Sequence, residues 1–260
     1  MRHDVNLWQE NVEDGPVVAR LAGRIVALLA DRTDGCSAAL RSDLCTQLES
    51  ASFDTDPDAM VRVLASFRRM RVSAAMLADC YIPDVARRLG QGWLDDRIGF
   101  ADVSQGAARL QMLLRDLSGP WKSDASETPD VGEILLIVPQ DEQHTLGAMV
   151  AMGQLRRRGV SVCLRFGPSR DELAALMFSR RFDGVLISLS SSEKLAQCKD
   201  LVGTVKSFGG GLPVVVGGAV MGLSTEVLAE SGADGATNDL SQALIICGIF
   251  ADHQTARYRA

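Results

Sequence analysis

Histidine, aromatic residues and positive charge are all scarce in this chain. Of 260 residues only 3 are His and 5% are aromatic, while Asp plus Glu outnumber Lys plus Arg by 33 to 27, giving a net charge of −6 and a pI near 5.1. That balance argues against direct nucleic-acid binding, because phosphate contacts supply most of such affinity and need a basic face. Two arginine runs, at Arg68, Arg69 and Arg71 and at Arg156 to Arg158, read as solvated helix ends. No apolar run approaches the roughly twenty residues that cross a bilayer, and the amino terminus, MRHDVNLWQENVEDG, has no apolar signal-peptide core. A cytoplasmic location without membrane contact is expected. The 6 cysteines show no C-x-x-C spacing and sit mostly in apolar patterns, which predicts reduced, buried thiols rather than a disulfide frame or a zinc site. P-loop, G-x-S-x-G and Ser-His-Asp arrangements are also missing, so the chain is not expected to be an enzyme by itself.

What is present is a hydrophobic content of 47%, enough for two modest cores. Helical spacing predicts helices over 16–31 and 37–50, then from Asp56 or Asp58 to about Arg71, over 72–80, 84–96 and 100–117, with a break at Tyr81-Ile82-Pro83. These suggest a helical amino segment (1–57) and an antiparallel helical bundle (58–118). A Ser-, Pro- and acid-rich linker (119–131) follows, and then an α/β domain (132–260). In that last part, strands predicted at 133–138, 160–165, 184–189, 213–217 and 235–237 alternate with helices at 147–158, 169–180, 193–208, 221–231 and 240–250. Such alternation predicts a flavodoxin/Rossmann-like, doubly wound, parallel five-stranded sheet of order 2-1-3-4-5.

Ligands bind such sheets beyond the carboxyl ends of the strands. Three sequence features fall there. Glu142, His144 and Gly147 form E-x-H-x-x-G after the first strand, Ser188 and Ser190 follow the third, and Gly217-Gly218 closes LPVVVGG at the fourth. Neutral imidazole is a good transition-metal ligand whose second ring nitrogen needs an acceptor, and Glu142 would supply it. Adjacent glycines let backbone approach a bulky flat group. Each feature also has a plain reading: a surface histidine, a serine capping the next helix, a turn after a strand. Haem on His144 is an alternative cofactor, since a proximal histidine is a common haem ligand.

Together these positions resemble the D-x-H-x-x-G, S-x-L and G-G signature of the cobalamin-binding Rossmann-like domain. The resemblance implies that His144 ligates cobalt from below and that Gly147, Ser188, Gly217 and Gly218 line a slot for the dimethylbenzimidazole tail, with Thr145 and Ser190 beside them. Position 142 carries Glu where that family usually has Asp, and position 190 carries Ser where it usually has Leu. Residues 81–111 resemble the helical cap that precedes this domain in light-sensing and corrinoid proteins. Trp93 matches the tryptophan over the cofactor's upper face, and Phe100 would share that surface. The cap's Glu-His positions are Val103 and Ser104 here, so the resemblance implies an open or water-filled upper face.

The whole arrangement, over residues 58–250, resembles the AerR/PpaA antirepressors of purple photosynthetic bacteria. That resemblance implies a cobalamin-dependent light or redox sensor that binds a photosynthesis-gene repressor of the PpsR/CrtJ type. Competing expectations are a corrinoid methyl carrier of a methyltransferase system, a mutase subunit, a cofactor chaperone, and a haem-binding redox sensor on the same fold.

Overall fold

The structure, a computed structural model, describes residues 40–118, 131–142 and 144–249. The helix expected over 16–31, residues 119–130 of the linker, His3 and His253 lie outside the described residues.

The helical half comprises α1 (Ser42–Phe53), α2 (Ala59–Arg69), α3 (Ala74–Met76), a π turn (Leu77–Tyr81), α4 (Ile82–Leu94) and α5 (Phe100–Ser118). Leu44, Leu48, Phe67, Tyr81, Leu89 and Leu110 are buried in one core, so α1 packs with the helices downstream of residue 58. The ring of Phe67 meets that of Tyr81 edge-on at 4.8 Å, and the Tyr81 hydroxyl accepts the Arg41 amide at 3.2 Å ahead of α1. At the other end of α1, Arg109 of α5 donates to the carbonyls of Ala51 and Asp54 at 3.2 and 2.6 Å, satisfying acceptors that a helix end leaves open.

Two expectations fail in this half. The chain does not break at Tyr81-Ile82-Pro83; it runs helically from Ala74 to Leu94 through the π turn. Proline lacks an amide donor and its ring collides with the carbonyl four residues back. The wider turn immediately before Pro83 displaces that carbonyl, so the proline is absorbed without ending the helix. Cys80, within this turn, is disulfide-bonded, against the expectation of reduced thiols throughout. Local spacing rules detect metal-binding pairs, not bridges between distant positions. Cys45, Cys163, Cys198 and Cys247 are free and buried as expected.

The α/β half follows the predicted order. Strands β1 (Gly132–Val138), β2 (Val160–Phe166), β3 (Gly184–Ser188), β4 (Val214–Gly217) and β5 (Gly235–Ala236) form one parallel sheet ordered β2-β1-β3-β4-β5. β1 is an interior strand paired on both edges, with a core on each face, which explains its unbroken apolar run. Its residues alternate between two cores: Leu135 and Ile137 join one, Ile134, Leu136 and Val138 the other. The first core is closed by α7 (Arg170–Ser179), α8 (Leu195–Phe208) and α9 (Ser224–Ser231); the second by α6 (Leu146–Arg157) and α10 (Leu240–Ile246). Helices were expected to begin at 193 and 221, but 3₁₀ turns at Ser192–Lys194 and Ala219–Leu223 occupy those starts. Among the described residues no helix is long and apolar enough to cross a membrane.

The two halves are packed together. Met149 of α6 is buried in the helical half's core, with Leu146 and Val150 against it. Arg157 of α6 forms an ion pair with Asp79 of the π turn. Gln111 of α5 donates to the Thr145 hydroxyl at 3.2 Å.

Candidate functional site

The loop after β1 turns sharply. Asp141 adopts a left-handed conformation with φ of 58°, which aspartate tolerates better than most residues, and the Glu142 amide reaches back toward the Pro139 carbonyl at 3.4 Å. This turn sends the Glu142 side chain inward and leaves His144 outside. The Glu142 side chain is 2% exposed and that of His144 58%.

The carboxylate of Glu142 is fully engaged. One oxygen, Oε1, accepts the His144 amide at 2.8 Å and faces His144 Nδ1 at 3.1 Å. The other, Oε2, accepts the Ser190 amide at 3.2 Å and the Ser190 hydroxyl. Burial alone would push this acid upward, yet the hydrogen bonds from His144 and Ser190 outweigh it and hold the pKa down at about 2. An anionic acceptor at Nδ1 places the imidazole proton there, so the Nε2 lone pair is left facing outward from an exposed ring.

The remaining predicted residues fall into two groups. Thr145 caps α6 by position and receives the hydrogen bond from Gln111. Gly147, in the first turn of α6, is exposed, and a Cβ added there would meet no protein atom within 4 Å. Ser188 ends β3, half-buried, in register with Gly217 of β4. A Cβ on Gly217 would stand 2.8 Å from the Thr237 carbonyl, and one on Gly218, whose φ is 111°, 2.4 Å from that of Leu189. The protein's own backbone therefore demands both glycines, whereas at Gly147 the missing side chain leaves space unfilled. Trp93 and Phe100 form the second group, at the hairpin between α4 and α5, with ring centroids 6.2 Å apart and Phe100 71% exposed. Val103 is half-buried and Ser104 exposed on the first turns of α5. Phe100 begins α5 and Gln111 lies three turns further along it, so the aromatic pair stands roughly 16 Å along the helix axis from the Thr145 contact.

Sequence reasoning gave no role to Gln111 or Asn238. The Asn238 side chain clamps Gly218, accepting its amide at 2.6 Å and donating to its carbonyl at 3.0 Å, and so fixes the turn after β4. A polar residue just past β5, at the ligand end of the sheet, was the only signal for it. Gln111 had none, since its partner is 34 residues away on another element.

The donor set suits a metal that brings most of its ligands with it. Among the described residues no group of three or more His, Cys, Asp or Glu gathers to hold a bare ion. A single exposed imidazole whose Nδ1 faces a buried carboxylate, three residues before an exposed glycine, fits a residue that would hold a macrocycle-bound metal.

Comparisons with known proteins agree. Residues 132–245 match the family described as the B12 binding domain. An uncharacterized 20.5 kDa protein encoded in the bchF-crtJ intergenic region of Rhodobacter capsulatus is 44% identical over 176 residues, covering 67% of this chain and 92% of that protein. Among solved structures, the monomethylamine corrinoid protein of Methanosarcina barkeri superposes with a TM-score of 0.60 at 13% identity, covering 78% of this chain and 94% of that one, a likeness of fold. The chain therefore belongs to the family of the R. capsulatus protein, carries a B12 binding domain over residues 132–245, and fits the cobalamin-binding AerR/PpaA type.

Proposed function

We propose that this protein is a cobalamin-dependent light or redox sensor that acts as an antirepressor, by binding a repressor of the PpsR/CrtJ type rather than DNA. The observation that carries the cofactor half is the His144 imidazole, oriented by a buried carboxylate and open at Nε2. Its regulatory half is supported by 44% identity to a protein encoded next to crtJ and by the acidic balance of the chain.

His144 would hold the cobalt through Nε2, with Glu142 holding the proton on Nδ1. Gly147 would leave room for the tail, and Ser188, Gly217 and Gly218 would frame its slot. Trp93 and Phe100 would contact the cofactor from the helical half. Bound hydroxo- or adenosylcobalamin would supply cobalt chemistry that responds to light or reduction. The chain's own residues carry that state outward: Thr145 adjoins His144 and holds Gln111 of α5, while Arg157 ties the other end of α6 to Asp79 of the π turn. A change at the loop biases the packing of the helical half, and with it the surface a repressor reads.

The test is the visible spectrum of the full chain after mixing with hydroxocobalamin or adenosylcobalamin, dark and illuminated, for wild type and His144→Ala. Retained corrinoid bands that the variant loses are expected, followed by repressor pull-down that depends on cobalamin only in wild type. A Soret band with haem and no corrinoid uptake would make the protein a haem sensor. A second reading, a corrinoid methyl carrier, is favoured by the fold shared with the M. barkeri protein. Methyl transfer to the bound corrinoid from a methyltransferase, without any repressor binding, would select it.

A further inference from the structure

Cys80 differs in two ways from the other described cysteines. It is disulfide-bonded and half-buried, where Cys45, Cys163, Cys198 and Cys247 are free and fully buried. The sequence holds 6 cysteines, so elimination leaves Cys36, which lies outside the described residues, as the other end of the bridge. A separate contact agrees with that pairing. The Arg41 amide, five residues after Cys36, donates to the hydroxyl of Tyr81, the residue next to Cys80, at 3.2 Å. Five residues reach at most about 18 Å, so the chain ahead of α1 is already anchored within range of the π turn. That turn is a junction: Asp79 pairs with Arg157 of α6, and Tyr81 is buried in the helical core. π turns are rare and gather at functional sites.

We propose that Cys36 and Cys80 form a thiol–disulfide redox site, opened by a dithiol reductant, that sets how firmly the chain ahead of α1 is held to the π turn. The site needs no cofactor, so it does not rest on the cobalamin reading. A structural staple and a redox site differ in access, and half-burial lets a reductant approach Cys80 in the folded protein. The step is exchange. One thiolate of the dithiol attacks a bridge sulfur, the Cys36–Cys80 S–S bond breaks and a mixed disulfide forms; the second thiolate then displaces the bound cysteine. Two electrons and two protons pass to the protein, leaving two cysteine thiols and an oxidised dithiol. Burial keeps the other thiols out of the exchange: Cys45, Cys198 and Cys247 are pushed up to about 11 and stay protonated. Opening the bridge leaves the start of α1 on the Arg41–Tyr81 hydrogen bond and its apolar contacts.

The experiment uses the full chain, oxidised with oxidised glutathione or reduced under native conditions with dithiothreitol, in wild type, Cys80→Ser, Cys36→Ser and the control Cys198→Ser. Iodoacetamide trapping and peptide mass spectrometry should find a crosslinked Cys36–Cys80 peptide pair in the oxidised wild type. After native reduction both should be alkylated, with Cys45, Cys163, Cys198 and Cys247 unmodified. Reduction should lower the melting temperature of wild type and Cys198→Ser by about 5–10 °C. Cys80→Ser and Cys36→Ser should melt with the reduced wild type in either buffer. Amide hydrogen exchange over residues 74–82 should quicken on reduction in wild type and not in those two variants. An oxidised wild type without the crosslinked pair, or with Cys80 joined to another cysteine, overturns the site; this reading needs no variant to fold. A bridge that dithiothreitol opens only after denaturation makes it a structural staple and overturns the redox role. Equal melting and exchange in oxidised and reduced wild type overturn its hold on the π turn.

Discussion

Glu142 carries a pH signature that its neighbours determine. Its pKa is lowered from 4.5 to about 2, so the folded state binds its proton less readily than the unfolded chain. Such a group contributes stability that is fully present above the unfolded value and disappears as pH falls through the folded one. The melting difference between wild type and Glu142→Gln should thus be constant above about pH 5 and shrink progressively toward pH 2. A difference that does not change over that range would mean the carboxylate is not held as an anion. Thiols behave in the opposite sense: burial pushes Cys45, Cys198 and Cys247 up to about 11. At pH near 8 they should resist iodoacetamide in the native protein and react after denaturation, as mass spectrometry would show.

Glycines separate structural from ligand-facing demands at the level of single elements. Gly147→Ala in α6 adds a methyl that touches nothing and gives the helix up to about 1 kcal/mol of propensity. It should hold or raise the melting temperature while weakening corrinoid uptake, a split that a purely structural glycine would not produce. Gly218→Ala, with φ of 111° and a Cβ 2.4 Å from the Leu189 carbonyl, should cost about 2–4 kcal/mol in chemical denaturation whether or not cofactor is present. In α7, Ser169 and Glu172 form a reciprocal capping box, and Ser169→Ala should cost about 1 kcal/mol. Local chemistry of this kind made the sheet legible from sequence, because β1 and β4 are short apolar runs bounded by glycine or proline and each is followed by a helical pattern. It also put His144, Ser188 and Gly217 at the correct strand ends. The same chemistry misread Pro83, since the π turn that absorbs it depends on the packing of Leu77, Ala78 and Tyr81 into the helical core. Ser190 was expected beside the tail slot but not as the partner of Glu142, because proximity across 48 residues is a product of the sheet order and not of spacing.

At the scale of the whole molecule, the helical half is tied to α6 and its cap by Met149, with Leu146 and Val150, in the shared core, by Asp79 with Arg157, and by Gln111 with Thr145. The ion pair is about four-fifths buried on each side, with 18% and 22% of the two side chains exposed. Asp79→Asn should therefore cost about 1–3 kcal/mol, read as a loss in unfolding free energy. Gln111→Ala leaves the imidazole and its carboxylate untouched. If Thr145 transmits the state of the loop, this variant should bind cobalamin normally yet show a smaller cobalamin-dependent change in repressor affinity. Equal changes in wild type and variant would place the transmission elsewhere.

Because α6 lends Met149 to the helical core, the helical half does not own a complete interior, and the α/β half alone would expose the face of α6 that bears Met149. A chain cut anywhere between residues 118 and 131 should remain a two-piece complex through native gel filtration and separate only in denaturant. Expressed alone, each fragment would carry a raw apolar scar where the other belongs, and should aggregate until its counterpart is supplied in trans.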